Sequence, residues 1–334
     1  MSGRSALAAR TRARTGGAAL LSAMLTVALV ATFAAAALWQ QWRSVEVEAY
    51  ERARVQAAWL LVGGLDWARL LLREDGRSGG ADHLGEPWAV PLEEARLSSF
   101  LAAERNVSTD VGPEVMDAFL SGQIVDLQSK MNVTNLVDNG KVSGDDLRAF
   151  GRLFELLGLP PAQLDTLTEN LRLALDGSAA NRSGPLAPLP PQRLEQLAWL
   201  GVPANTIAVL EPYVTILPTR TTVNLNTASA QVLHATVAAL SMADAQRLVA
   251  ARERSPFRTT EEARLAIGAE ANLFAQNNVN IATQYFEVHS RLRLDQLRIE
   301  ERAVVLRNGM EVRVLQRWRA AAPAEAAAAD TARR

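Results

Sequence analysis

Arg12-Ala13-Arg14-Thr15-Gly16-Gly17 is followed by Ala18 to Leu38 without one charged side chain, and then by Trp39. This stretch decides the fold. An apolar run of about 22 residues, rising about 1.5 Å per residue, matches the roughly 30 Å hydrocarbon core of a bilayer. Its polar side chains are Ser22, Thr26 and Thr32, whose hydroxyls can bond back to carbonyls of the same helix. Arg4, Arg10, Arg12 and Arg14 precede the run, and the first acidic residue is Glu46. The positive-inside bias therefore predicts a cytoplasmic N-terminus and an exported remainder. A cleaved secretory signal fits less well, because its apolar core is about 7–15 residues, although the Ala34–Ala37 tract offers small-residue cleavage sites. A plain signal anchor stays open at this level.

Beyond Trp39 the pattern remains helical. Trp42, Val45, Ala49, Ala53, Ala57, Leu61, Leu65, Ala68 and Leu72 recur mostly at steps of three and four, so one helix is expected from residue 18 to about 74. Gly63-Gly64 inside it lowers helix propensity and suggests a bend or a close approach of a sheet. Residues 75–91 are rich in Gly and Pro and read as a loop, and residues 92–103 read as a short helix. A strand or two is expected in Ile124–Val133, then a turn at Asp138-Asn139-Gly140-Lys141. From Ser143, an N-cap followed by Asp145 and Asp146, the chain reads as mostly helical to about residue 281. Thr227 is read as the N-cap of a helix in that block. Strands follow at Tyr285–Leu292, about Leu297–Leu306 and Glu311–Trp318, with a type I′ turn at Asn308-Gly309.

The order predicts an α+β fold in which a helical block interrupts an antiparallel sheet. The parts are a leader (1–17), a transmembrane helix (18–39), a first sheet-forming part (40–142), an inserted all-α domain (143–281), a segment completing the sheet (282–318) and a disordered tail (319–334). A formal net charge of −1 argues against an electrostatic nucleic-acid binder. The absence of cysteine excludes disulfides and thiolate metal sites. His83, His234 and His289 have no metal-ligand partner at helical spacing, and no nucleophile triad, phosphate loop or His-Glu-x-x-His motif is present. No catalytic or cofactor-binding residue is assigned, and Asp145-Asp146 and Glu261-Glu262 fit helix starts.

The basic leader that ends in glycine directly before an apolar helix resembles a type IV pilin-like precursor. With Asp82-His-Leu-Gly-Glu-Pro-Trp-Ala89, Asn132-Val-Thr-Asn-Leu136, Pro190-Pro-Gln-Arg-Leu-Glu-Gln-Leu-Ala-Trp-Leu-Gly201 and Val223-Asn-Leu-Asn-Thr-Ala228, the chain resembles the K class of type II secretion minor pseudopilins almost to Trp318. The resemblance implies a pilin-like long helix packed on an antiparallel sheet. It also implies cleavage by prepilin peptidase after Gly17, a methylated N-terminal Ala18, and Ser22 at mature position five, where most pseudopilins carry glutamate. Cleavage after Gly16 would put Leu21 there instead, again without a carboxylate.

K-class members lack this glutamate and are placed at the pseudopilus tip with the I and J class minor pseudopilins, above the major pseudopilin filament. The implied role is non-enzymatic: capping or initiating a filament that serves protein export from the periplasm. The implied location is the inner membrane, single-pass, beside the inner-membrane secretion platform. The family is associated with calcium, for which Asp138-Asn139-Gly140 offers hard ligands; no cofactor is otherwise required. Val223–Leu265 also resembles helix-hairpin-helix modules, so a membrane-anchored DNA-binding protein of a DNA-uptake or type IV pilus system is the alternative. The hairpin there, Ala239–Asp244, lacks the Gly-x-Gly that meets phosphate and adds an acid.

Overall fold

The computed structural model describes residues 16–97, 118–176, 188–270, 273–274, 278–294 and 297–320. It divides after Gln56 into two compact units. Helix α1 (Gly16–Ser78) is 63 residues long, and no Pro interrupts it. Its part before Ala57 is exposed apart from a few half-buried positions. From Ala57 onward a stripe of small and apolar side chains (Ala57, Leu61, Leu65, Ala68, Leu72) is buried, as steps of three and four require for one helical face.

Against this stripe lies a sheet of β1 (Leu92–Arg96), β2 (Phe119–Asp126), β9 (Tyr285–Leu294), β10 (Leu297–Asn308) and β11 (Glu311–Ala320), in that order. All neighbouring pairs are antiparallel. Ile124, Phe286, Val288, Ala303, Val305 and Val312 face Leu65, Ala68 and Leu72 in one cluster. Trp88 joins them and meets Phe286 edge-on at 5.1 Å between ring centroids. Two glycines are demanded by this packing. A Cβ on Gly76 would sit 2.3 Å from the Gly309 carbonyl oxygen, and one on Gly122 would sit 2.7 Å from that of His289.

Between β2 and β9 runs the helical block: α2 (Gly144–Leu156), α3 (Pro161–Leu175), α4 (Ala204–Leu210), α5 (Ala230–Thr236), α6 (Met242–Arg254) and α7 (Thr260–Ala266). Short pairs tie it together: β3 (Met131–Asn132) with β6 (Val214–Thr215), β4 (Val137–Asp138) with β5 (Lys141–Val142), and β7 (Val223–Asn224) with β8 (Val279–Asn280). It has its own core, in which Phe150, Leu153 and Phe154 of α2 meet Leu164, Leu167 and Leu171 of α3. Met131, Val133, Leu136 and Val137 belong to that core too, ahead of the boundary expected at 142. Ser143 caps α2, with Asp145 and Asp146 in its first turn.

Several local expectations change. Leu92–Arg96 is a strand, because pairing of Leu92 with Gly122 and Arg96 with Phe119 outweighs a helix-favouring composition; residues 98–103 of the expected helix lie outside the described residues. Ser229, not Thr227, caps α5. The last hairpin pairs Asn308 with Glu311, so Gly309 and Met310 form the loop. Only Gly309 there has positive φ, 58°, whereas a type I′ turn needs two such residues. β11 runs through Arg319 and Ala320, two residues into the expected tail; the rest of that tail and residues 1–15 lie outside the described residues. Neither Gly63 nor Gly64 marks a tight approach: nothing lies within 4 Å of a Cβ on Gly63, and one on Gly64 would make ordinary contacts at 3.7 Å.

Candidate functional site

Gly17, Ala18 and Ser22 lie together in the opening turns of α1. The Ser22 hydroxyl donates to the Ala19 carbonyl at 2.9 Å, and Thr26 and Thr32 turn back on the helix in the same way. The three hydroxyl hydrogens of this segment are thus spent inside the helix, leaving an outer surface of Leu20, Leu21, Met24, Leu25 and Phe33. This helix is long and apolar enough to cross a membrane. Trp39 and Trp42 stack tilted at 5.5 Å just beyond the apolar run, a position suited to the interfacial aromatic belt.

A second constellation gathers two of the sequence motifs, Asp82–Ala89 and Val223–Ala228. Asp126, at the end of β2, is 2% exposed. Its Oδ1 accepts from the Gln128 backbone N–H at 2.6 Å and the Thr283 hydroxyl at 2.6 Å; its Oδ2 accepts from Asn224 Nδ2 at 3.0 Å and the Thr227 hydroxyl at 2.5 Å. Thr227 therefore serves the junction between block and sheet. Asn224 also donates to the Asp82 carbonyl at 3.1 Å, and Asp82 Oδ2 accepts from the Thr283 N–H at 2.6 Å. Arg307 of β10 forks between Asp82 and Asp75, the latter at the end of α1, and lies over the Phe286 ring. Glu86 accepts from Trp88 Nε1 at 2.7 Å and the His83 N–H at 2.9 Å. The loop after α1, the sheet and the Asn224–Thr227 motif thus form one polar junction.

Burial pushes the carboxyls of Asp126, Asp82 and Asp75 above the ordinary range. Four hydrogen bonds oppose this at Asp126 and the Arg307 guanidinium opposes it at Asp82 and Asp75, while Glu86 adds to it at Asp75.

Asp75, Asp82 and Glu86 bring carboxylate oxygens within 4.8 Å of one another. Their donor set does not fit a bound cation, because Arg307 already occupies the face that two of them share. The Asp138-Asn139-Gly140 turn holds one carboxylate, engaged by Asn139 Nδ2 at 3.0 Å. In the hairpin-like segment, Ser241 caps α6 and bonds Asp244, so a carboxylate stands where a phosphate would approach. Arg252 is turned inward onto the Leu225 carbonyl at 2.6 Å, and burial brings its pKa down to about 10.

A long N-terminal helix packed on an antiparallel sheet, with a helical block set between two neighbouring strands, defines an α+β fold of the pilin-like kind. Two family models, both described as type II secretion system (T2SS), protein K, match residues 129–219 and 223–286. Over those residues the chain is similar to the type II secretion system protein K family. Type II secretion system protein K of Pseudomonas aeruginosa (strain PAO1) is 28% identical over 300 residues, covering 83% of this chain and 84% of that one. A chain in the crystal structure of the GspK-GspI-GspJ complex from the enterotoxigenic Escherichia coli type 2 secretion system superposes with a TM-score of 0.61 at 14% identity, covering 84% of this chain and 100% of that chain.

Proposed function

We propose that this minor pseudopilin sits at the tip of a type II secretion pseudopilus, where it caps or initiates the filament and takes no enzymatic part. The observation that carries this is Ser22: its hydroxyl is consumed by Ala19, and no side chain from Ala18 to Val45 carries a negative charge. In a filament subunit, a carboxylate at this point neutralises the buried amine of the subunit above, since an unpaired charge in the membrane is costly. A subunit with nothing above it needs no such group. Prepilin peptidase cuts after Gly17, leaving Ala18 as the methylated N-terminus. The apolar start of α1 then holds the chain in the inner membrane, with the sheet and helical block in the periplasm.

I and J class minor pseudopilins are the proposed neighbours, in keeping with the complex that gives the structural relative its title. An apolar cavity of about 330 Å³ beside Trp59, Gly63, Trp88 and Leu120 offers them a surface. The major pseudopilin, prepilin peptidase and inner-membrane platform are the other proposed contacts.

Gly17→Leu tests the processing step. It is expected to leave full-length precursor in the membrane, read by intact mass, with secretion lost; normal mass and normal secretion would refute it. Ser22→Glu tests the tip placement. Crosslinking is expected to find the variant along the shaft as well as at the tip, and an unchanged tip-only pattern would count against the reading.

A further inference from the structure

We propose that the free edge of β11 is a docking strand for an extended acidic segment of another protein, which joins the sheet as a sixth strand. β11 closes the five-stranded sheet on one side and pairs with β10 alone. Asn308 pairs with Glu311 across the turn, so the backbone groups of Glu311 and Arg313 face β10 and those of Val312 and Val314 face outward. The Val312 carbonyl is taken by Arg69 of α1. Beyond it, no described residue outside β10 bonds to the backbone of β11. A long edge with open N–H and C=O groups is a template for strand addition.

The side chains along the edge decide which segment it selects. Val314 and Leu315 are 39% and 38% exposed, and Leu315 lies in a register shift with no residue opposite it on β10. Arg317 and Arg319, two positions apart, line one face of the strand, opposite Ala303 and Glu301. Arg317 is paired with Glu301, and Arg319 has no partner among the described residues. On the other face, Arg193 of the helical block lies over the Trp318 ring at 5.7 Å. After Glu311, which pairs with Arg313, the strand holds no acid. Its complement is a strand with carboxylates two positions apart, facing Arg317 and Arg319, and an apolar residue facing Val314.

A second copy of this chain fits the edge less well. Two β11 strands paired antiparallel about Leu315 bring Arg313 against Arg317, and like charges directly opposite repel. The opposite edge of the sheet, β1, offers Glu93 and Glu94, but adjacent residues of a strand point to opposite faces, so one carboxylate alone can meet the arginine pair. β1 is also five residues long against ten for β11. Edge arginines of this kind keep like strands apart while admitting an acidic one. Such docking requires no particular place of the chain in a filament.

The test uses the detergent-solubilised full chain at low salt and a fluorescent peptide of about eight residues, Glu-Thr-Glu-Thr-Val-Thr-Val-Thr, written for antiparallel pairing. The same peptide with Lys for Glu is the control. Anisotropy is expected to give a dissociation constant below about 1 mM for the acidic peptide. Binding is expected to weaken at least about tenfold for the lysine peptide, and for the double change Arg317→Glu and Arg319→Glu. Val314→Pro removes an N–H that β10 does not use, so it is expected to keep the fold and lose the peptide. In the wild type, hydrogen exchange of the backbone amides from Val314 to Arg319 is expected to slow with the acidic peptide bound, a reading that stands even if a variant fails to fold. No binding, equal binding of the two peptides, or protection confined to other strands would overturn the proposal. So would a dimer of the chain that Val314→Pro abolishes, which would put a second copy on the edge.

Discussion

At Asp126 four neutral donors converge on one carboxylate that, among the described residues, has no ion-pair partner. Asp126→Ala strands Asn224, Thr227, Thr283 and the Gln128 N–H together, and is expected to cost about 3–5 kcal/mol in denaturant unfolding. Asp126→Asn keeps half of the acceptors and removes the buried charge, so it is expected to cost less than the alanine change. Since burial raises the Asp126 carboxyl, its share of stability is full below the unfolded value of about 3.9 and declines as pH rises. The Asn variant is therefore expected to show a flatter stability profile above that pH. This site was only partly legible in sequence. Asn224 and Thr227 stood in a recognised motif, but their partner Asp126 lies 98 and 101 residues away, and no local periodicity reports a contact of that span. The remaining signal was Asp126 itself, an acid ending an alternating apolar stretch.

Among the elements, those governed by local rules were readable. Ser143 with Asp145 and Asp146 announced α2, and Asn139-Gly140, with φ of 50° and 76°, announced the β4–β5 turn. β1 was not readable, because Leu-Glu-Glu-Ala-Arg favours helix and only its partner β2 makes it a strand. Within α1, Leu72 is fully buried while Leu70 is 50% exposed. Leu72→Ala is expected to cost about 2–5 kcal/mol, and Leu70→Ala to stay within about 0.5 kcal/mol, both by thermal unfolding of the full chain. Gly63→Ala is expected to stabilise by up to about 1 kcal/mol, because the added methyl meets nothing and helix propensity improves. Gly76→Ala, aimed at the Gly309 carbonyl 2.3 Å away, is expected to destabilise by about 1–3 kcal/mol.

For residues 57–320, hydrogen exchange on the full chain is expected to give the sheet and the helical block similar protection, because the Asp126 network spans both. Asp126→Ala is expected to split that protection, the block opening at lower free energy; a uniform loss in both parts would contradict the coupling. The order of strands, block and strands was legible from hydrophobic periodicity, since each element obeys its own period. The junction that unites them was not, since it joins polar residues drawn from opposite ends of the chain. The register between the two strands that border the block has a consequence for how the block is joined. Asp126 stands directly opposite Phe286 across β2 and β9, so the block leaves and re-enters the sheet at adjacent points, as a tight hairpin would. In geometry alone, a turn could join β2 to β9 at that point, so the whole block occupies the place of a single hairpin connection.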